Sequence, residues 1–285
     1  MIITENAELK NFSLMRMGGK ASILYTPESV NEVIELISGL NKNQSHYYLI
    51  GGGSNVLIND QHDFDNVIYL GRFNPTIAAL GNGRFYVGAS VRLQRLIREI
   101  NDLGYGGIEY LYSVPGMLGG AIVMNAGRGK QHCQSIGDYI ESVDVLNNGI
   151  PEQLNCEQCR FRYRSSIFSS GNYLITGATF QFPPVALEAA TLLRQERIEY
   201  CKINQDASLP NLGSLLKKSN RFALWLLKRF HLGYSEGIHF SSKTPNWLVN
   251  EGLGTFSQAM DVIHKSKVLH RLLGCRQELE IVIWK

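Results

Sequence analysis

The stretch Tyr47-Tyr48-Leu49-Ile50-Gly51-Gly52-Gly53-Ser54-Asn55-Val56-Leu57-Ile58 sets the reading of the whole chain. Apolar runs bounded by glycine predict buried strands on either side of a turn. Without Cβ atoms, three glycines let the backbone take positive φ and approach a ligand closely. Successive N–H groups in such a turn form a concave nest for an anion, usually a phosphate. Ser54 and Asn55 add side-chain donors. A plain glycine-rich hairpin fits these residues as well. The spacing matches neither G-x-G-x-x-G nor a Walker A loop, so both common nucleotide folds are disfavoured.

The 285 residues are 44% hydrophobic and 19% charged, which is ordinary globular composition with ample apolar material for a core. A net charge of +3 suits a small phosphate-bearing ligand. It lacks the dense basic stripe of a nucleic-acid binder, the longest basic cluster being Lys217-Lys218 with Arg221. No window approaches the roughly 18 apolar residues of a membrane span. The first six residues lack the basic-then-apolar start of a signal peptide. Five cysteines (Cys133, Cys156, Cys159, Cys201 and Cys275) are odd in number and sparse, which fits a reducing cytoplasm. Cys156-x-x-Cys159 stands without the second ligand pair that structural zinc needs, so no metal is expected.

Upstream of the glycine stretch, Ser22–Tyr25 predicts a short strand. Thr26-Pro27 predicts the N-cap and first position of a helix with Val30, Val33, Ile34, Ile37 and Leu40 on one face. A strand around Val67–Leu70 completes a β-β-α-β unit. Next come a strand at Arg84–Val87 and a helix capped by Ser90, carrying Leu93, Leu96, Ile97, Ile100 and Leu103 and stopped by Gly104. A second glycine-rich stretch runs from Val114 to Gly127, Val-Pro-Gly-Met-Leu-Gly-Gly-Ala-Ile-Val-Met-Asn-Ala-Gly. It predicts a short helix whose small residues either allow close packing or present N–H groups to a second phosphate.

Strands are predicted at Tyr139–Leu146 and Tyr173–Phe182, with Asn147-Asn148-Gly149 as a hairpin turn after the first. Between them Arg160, Arg162 and Arg164 alternate with aromatics and would share one strand face. Pro183-Pro184 marks an expected domain boundary. Beyond it, helices are predicted at Val185–Tyr200, Phe222–Phe230 and from Thr255 to Gly274, with strands at Gly237–Phe240 and Trp247–Val249. A terminal strand, Glu278–Trp284, would place Glu278 and Glu280 on one face. Ser214, after Gly213, reads by itself as a turn or helix cap.

Together these motifs resemble the UDP-N-acetylenolpyruvoylglucosamine reductase (MurB) family, nearly end to end and in the family's order. Met17-Gly18-Gly19-Lys20-Ala21 is similar to its N-terminal Gly-Gly-x-Ala, and Gly51–Ile58 to its first flavin-phosphate loop. Gly88-Ala89-Ser90-Val91 and Val114–Gly127 follow its next two motifs. Tyr163-Arg164-x-Ser166, Leu212-Gly213-Ser214 and Glu278-Leu279-Glu280 resemble its three catalytic signatures. The resemblance implies an α+β fold. Residues 1–183 would form an FAD-binding domain of the vanillyl-alcohol-oxidase (PCMH) type, in subdomains of about 1–75 and 76–183. Residues 184–285 would form a smaller α+β substrate domain whose last strand returns to the active site.

The implied reaction passes hydride from NADPH through FAD to C3 of an enol ether on a UDP-sugar, with a proton to C2. The resemblance assigns Arg164 to the substrate carboxylate, Ser214 as proton donor and Glu280 as the acid that polarises the same group. It assigns the flavin to Gly51, Gly52, Gly53, Ser54 and Asn55 in the first loop. In the second loop it assigns Pro115, Gly116, Gly119, Gly120, Ala121 and Asn125. Lys217 and Asn246 would join Arg164 at the substrate. A cytoplasmic monomer with no nucleic-acid, membrane or metal partner is implied. Three departures fall in the substrate domain: Leu216-Lys217-Lys218-Ser219 in place of Phe-Lys-Asn-Pro, no His between Lys243 and Asn246, and Gln277 before Glu278. They leave as alternatives a related flavoenzyme with another substrate and a flavin-binding protein without turnover.

Overall fold

The computed structural model describes residues 1–127 and 134–285, so Cys133 lies outside the described residues. The chain divides into two compact units. The first comprises Met1–Thr4, Leu24–Gly52 and Asn66–Glu199; the second comprises Glu5–Ile23, Gly53–Asp65 and Tyr200–Lys285. This division differs from the expected break after residue 183. Most of the helix Leu187–Asn204 belongs with the first unit, and two N-terminal stretches belong with the C-terminal third. The reason is pairing between distant stretches. Val282–Trp284 runs parallel to Val56–Ile58, and the Asn250 side chain donates to the Met15 carbonyl at 2.9 Å.

The first unit is built on a five-stranded antiparallel sheet in the order Ile77–Gly81, Arg84–Gly88, Tyr173–Gln181, Ile140–Asn147, Ile150–Asn155. Asn147 pairs with Ile150 across Asn148 (φ 50°) and Gly149 (φ 87°), the doubly positive turn that Asn-Gly favours. Tyr48–Ile50 lies parallel to Val67, Ile68 and Tyr69. The helix Val30–Lys42 starts at Ser29, whose hydroxyl accepts from Glu32 N at 3.2 Å, and not at Thr26, which closes the preceding strand. Leu93–Asp102 likewise lacks a Ser90 cap. Ser90 instead donates to Leu70 O (2.9 Å) and accepts from Asn74 N (3.1 Å), tying two loops together. Gly104 follows this helix at φ 83°, as expected. One apolar cluster unites sheet and helices, with Phe85, Phe180 and Phe182 among its fully buried side chains.

The second unit holds a sheet in the order Asn211–Ser214, Trp247–Asn250, Ile238–Phe240, Tyr234–Ser235. Helices Arg221–Arg229 and Phe256–Leu272 join it around a second apolar cluster that includes Met15, Leu57, Leu227, Val262 and Ile281. The expected continuous terminal strand is broken. Glu278–Leu279 pairs with Leu216–Lys218, whereas Val282–Trp284 pairs with Val56–Ile58. The period-two argument for a face shared by Glu278 and Glu280 lapses at that break. Among the described residues, no helix is long and apolar enough to cross a membrane.

Candidate active site

The first glycine loop is also where the chain passes from one unit to the other, between Gly52 and Gly53. In the first unit, a Cβ on Gly52 would stand 3.6 Å from Gly116 Cα and 3.8 Å from Met117 N. The two glycine-rich stretches therefore meet backbone to backbone. In the second unit, Gly53 has φ 60°, and a Cβ there would strike the Phe12 carbonyl oxygen. Gly53 O accepts from Leu14 N at 3.0 Å, so the loop is held by its acceptors. Among the described residues, no N–H from Gly51 to Asn55 donates to a protein acceptor. Asn55 acts as a tie: its amide donates to Glu280 O at 3.1 Å, and its carbonyl accepts from Val282 N at 2.9 Å.

In the second stretch, Leu118 N and Gly119 N donate to Val91 O (2.8 Å) and Ala89 O (2.9 Å). A Cβ on Gly119 would come within 3.2 Å of Ala89 Cβ, so this glycine serves packing of the short helix Leu118–Val123. Gly120 is the open position, with nothing within 4 Å of where a Cβ would stand. Ala121 is buried and Pro115 exposed, and Gly116 O accepts from Leu93 N at 3.2 Å. Asn125 (φ 41°) is buried and occupied by protein, donating to Arg162 O at 3.1 Å and accepting from Gly137 N at 3.0 Å.

That Asn125 contact builds the neighbourhood of Arg164. The expected strand through Arg160, Arg162 and Arg164 is absent; the segment is a run of turns. Arg160 and Arg164 have φ of 49° and 52°, and Arg162 and Ser165 exchange backbone hydrogen bonds at 2.9 and 3.2 Å. Left-handed residues reverse the chain, so the three arginines share no strand face. Arg164 Nη2 donates to Gly127 O at 2.7 Å, with the guanidinium 5.4 Å from the Tyr163 ring centroid. Ser166 Oγ donates to Val123 O at 2.7 Å. The tail of the second glycine stretch thus holds both ends of the Arg164 turn. Burial pushes the nearby Tyr110 phenol well above its usual range, Tyr139 adds to this, and Arg164 pulls the other way.

Ser214, Glu280, Lys217 and Asn246 lie in the second unit. Ser214 ends the strand Asn211–Ser214 after Gly213 (φ 71°), where the register with Trp247–Asn250 shifts. It therefore stands at a bulge, a device that re-aims side chains, and caps no helix. The next residue joins the group: Leu215 N donates to Asn246 O and Leu215 O accepts from Glu280 N, both at 2.8 Å. The Asn246 side chain clamps the following peptide, accepting from Leu216 N at 3.2 Å and donating to Leu216 O at 2.9 Å. Lys217 and Lys218 place their ammonium groups 3.8 and 3.4 Å from the Glu278 carboxylate.

A family model described as an FAD binding domain matches residues 21–149. The UDP-N-acetylenolpyruvoylglucosamine reductase of Chloroherpeton thalassium is 33% identical, over 97% of this chain and 91% of that protein. Its counterpart from Fusobacterium nucleatum is 31% identical over 99% of each. The chain belongs to the UDP-N-acetylenolpyruvoylglucosamine reductase family. The crystal structure of the Thermus caldophilus enzyme of that name shares the fold, with a TM-score of 0.81, 24% identity and full coverage of both chains. For this member of the reductase family, the expected α+β class with an FAD-binding domain holds. Sequence reasoning missed the Phe12 carbonyl against Gly53, the Asn74–Ser90 tie and the Asn55–Glu280 tie. Each joins residues far apart in sequence through one polar group, and such contacts leave no local pattern.

Proposed function

We propose that this chain uses NADPH and FAD to reduce UDP-N-acetylglucosamine enolpyruvate to UDP-N-acetylmuramate in peptidoglycan synthesis. The observation that carries the reading is the meeting of Gly52 with Gly116 and Met117, within a chain whose residues 21–149 match an FAD-binding domain. A flavin diphosphate needs N–H donors with no side chain in the way. Gly51, Gly52, Gly53 and Ser54 offer them, and Gly120 leaves open space in the second stretch. These residues fit the group. Bound FAD supplies hydride transfer between nicotinamide and enol ether.

The chain's own residues would do the rest. Arg164, with its fork fixed by Gly127 O, holds the substrate carboxylate where negative charge develops. Ser214, aimed by its bulge, delivers the proton to C2. Glu280, whose backbone is tied to Leu215 and Asn55, polarises the same group. Lys217 meets the UDP diphosphate. Asn125 and Asn246 position the Arg164 turn and the segment after Ser214. We place the enzyme in the cytoplasm as a monomer. The test is anaerobic. NADPH should bleach the flavin of the purified protein, and UDP-N-acetylglucosamine enolpyruvate should restore its colour stoichiometrically. Bleaching without restoration by that substrate would reject it in favour of another enol or enoyl compound.

A further inference from the structure

Helix Arg221–Arg229 turns an aromatic face outward. Phe222 and Trp225 are 56% and 54% exposed and stack on one another, ring centroids 5.7 Å apart at 16°. Phe230 and Leu232, just beyond the helix, are 61% and 47% exposed. The inner face is ordinary, with Ala223, Leu224 and Leu227 buried. Helical spacing puts Phe222, Trp225 and Arg229 on one side. Clustered apolar surface of this kind marks a site of interaction.

Charge indicates what covers it. Residues 217–232 contain five Lys or Arg and no Asp or Glu, and residues 262–277 contain four and none. Over the whole chain the two signs nearly balance, 28 against 25. The two segments adjoin: Asn220 N lies 3.1 Å from His270 Nε2, and the Asn220 amide lies 3.1 Å from Cys275 Sγ. Leu272, at the end of helix Phe256–Leu272, is 77% exposed. Arg221, Arg229, Lys267 and Arg271 are exposed as well. Lys228 turns away to the Ser242 carbonyl, and Lys218 is paired with Glu278.

We propose that this face docks reversibly on an anionic membrane surface. Phe222 and Trp225 enter the headgroup layer, and Arg221, Arg229, Lys267 and Arg271 lie over acidic lipid headgroups. Aromatic residues beside cations suit the membrane interface, where each cation near an anionic leaflet strengthens binding about fivefold. A nucleic acid would engage the same cations. The exposed Leu232 and Leu272 of the same two adjoining segments favour lipid. The association is peripheral, and it revises the expectation that no membrane partner exists. It stands independently of the reductase reading.

The test mixes the full-length protein with vesicles of phosphatidylcholine, alone or with about one-third phosphatidylglycerol, and sediments them at low and about 0.5 M salt. Anionic vesicles should carry down about tenfold more protein than neutral ones, and salt should release it. The triple substitution Phe222→Ser, Trp225→Ser, Arg229→Glu should cut binding about tenfold with NADPH oxidation unchanged. Arg229→Glu alone, outside the core, gives the same direction if the triple variant fails to fold. Equal sedimentation with both vesicle types, or binding untouched by either variant, overturns the proposal. Single-stranded DNA binding without vesicle binding overturns it too.

Discussion

At the scale of single residues, three positions separate packing from chemistry. Gly53 combines φ 60° with the Phe12 carbonyl where a Cβ would stand, whereas Gly120 has open space there. Gly53→Ala should therefore lower Tm by about 4 °C or more, because backbone must move and the left-handed region costs an L-residue about 1 kcal/mol. Gly120→Ala should leave Tm intact or raised, helix propensity favouring Ala by about 1 kcal/mol. If Gly120 borders the flavin, that variant should still purify with less of it, read by absorbance; unchanged flavin content removes Gly120 from the site. Ser214→Ala should slow reoxidation by substrate about 100-fold while leaving reduction by NADPH unchanged in stopped flow. Equal loss in both halves would reject the proton-donor role. Asp206 offers a pH test. Hydrogen bonds from Ser208, and then from Ser241, hold its carboxyl below the ordinary value of 3.8. A depressed carboxyl stabilises the fold above its unfolded value, and that contribution is lost as pH falls through the lower folded value. Calorimetry should find Asp206→Asn less stable than the parent near neutrality, with the gap closing in acid. A gap constant across pH would discard this account.

At the scale of elements, caps and turns decided most of what could be read early. The helix Phe256–Leu272 opens at Thr255, as expected, and the structure adds a reciprocal capping box to Gln258. Thr255→Ala should cost about 1 kcal/mol, seen as a lower urea midpoint with unchanged slope. The Asn148-Gly149 hairpin and the Gly104 stop were equally legible, since each rests on one or two residues with a strong local preference. Ser90 and Thr26 misled for the same reason: a hydroxyl before a helix reads as a cap, and only the folded chain shows Ser90 spent on Leu70 and Asn74, and Thr26 closing a strand. The arginine stripe failed differently. Alternation predicts a strand, but left-handed φ at Arg160 and Arg164 turns the chain, and neither residue type announces that conformation. The edge strands Ile2–Glu8 and Ile77–Gly81 escaped notice because exposed strands lack the apolar alternation that reveals strands.

At the scale of the whole molecule, the second unit closes only when three stretches of chain meet. Val282–Trp284 supplies a strand to Val56–Ile58, and Ile281 and Trp284 are buried, the latter 5.6 Å from the Phe64 ring. Deleting residues 280–285 should therefore cost more than Trp284→Ala alone, itself about 3–5 kcal/mol. Near-UV circular dichroism should show lost packing in the truncated chain; a native spectrum would contradict the pairing. The α+β class came with the family resemblance; the sequence by itself determined most helices, the hairpin and the two glycine stretches. These follow from periodicity, capping and the freedom of glycine, all properties of a few neighbouring residues. Only the tertiary structure decided that the chain changes units within the first glycine stretch, that the terminal strand splits between two partners, and that Asn55, Asn125 and Asn246 spend their amides on protein. Strand pairing and polar ties between distant residues depend on where backbone donors and acceptors meet after folding, which no local pattern encodes.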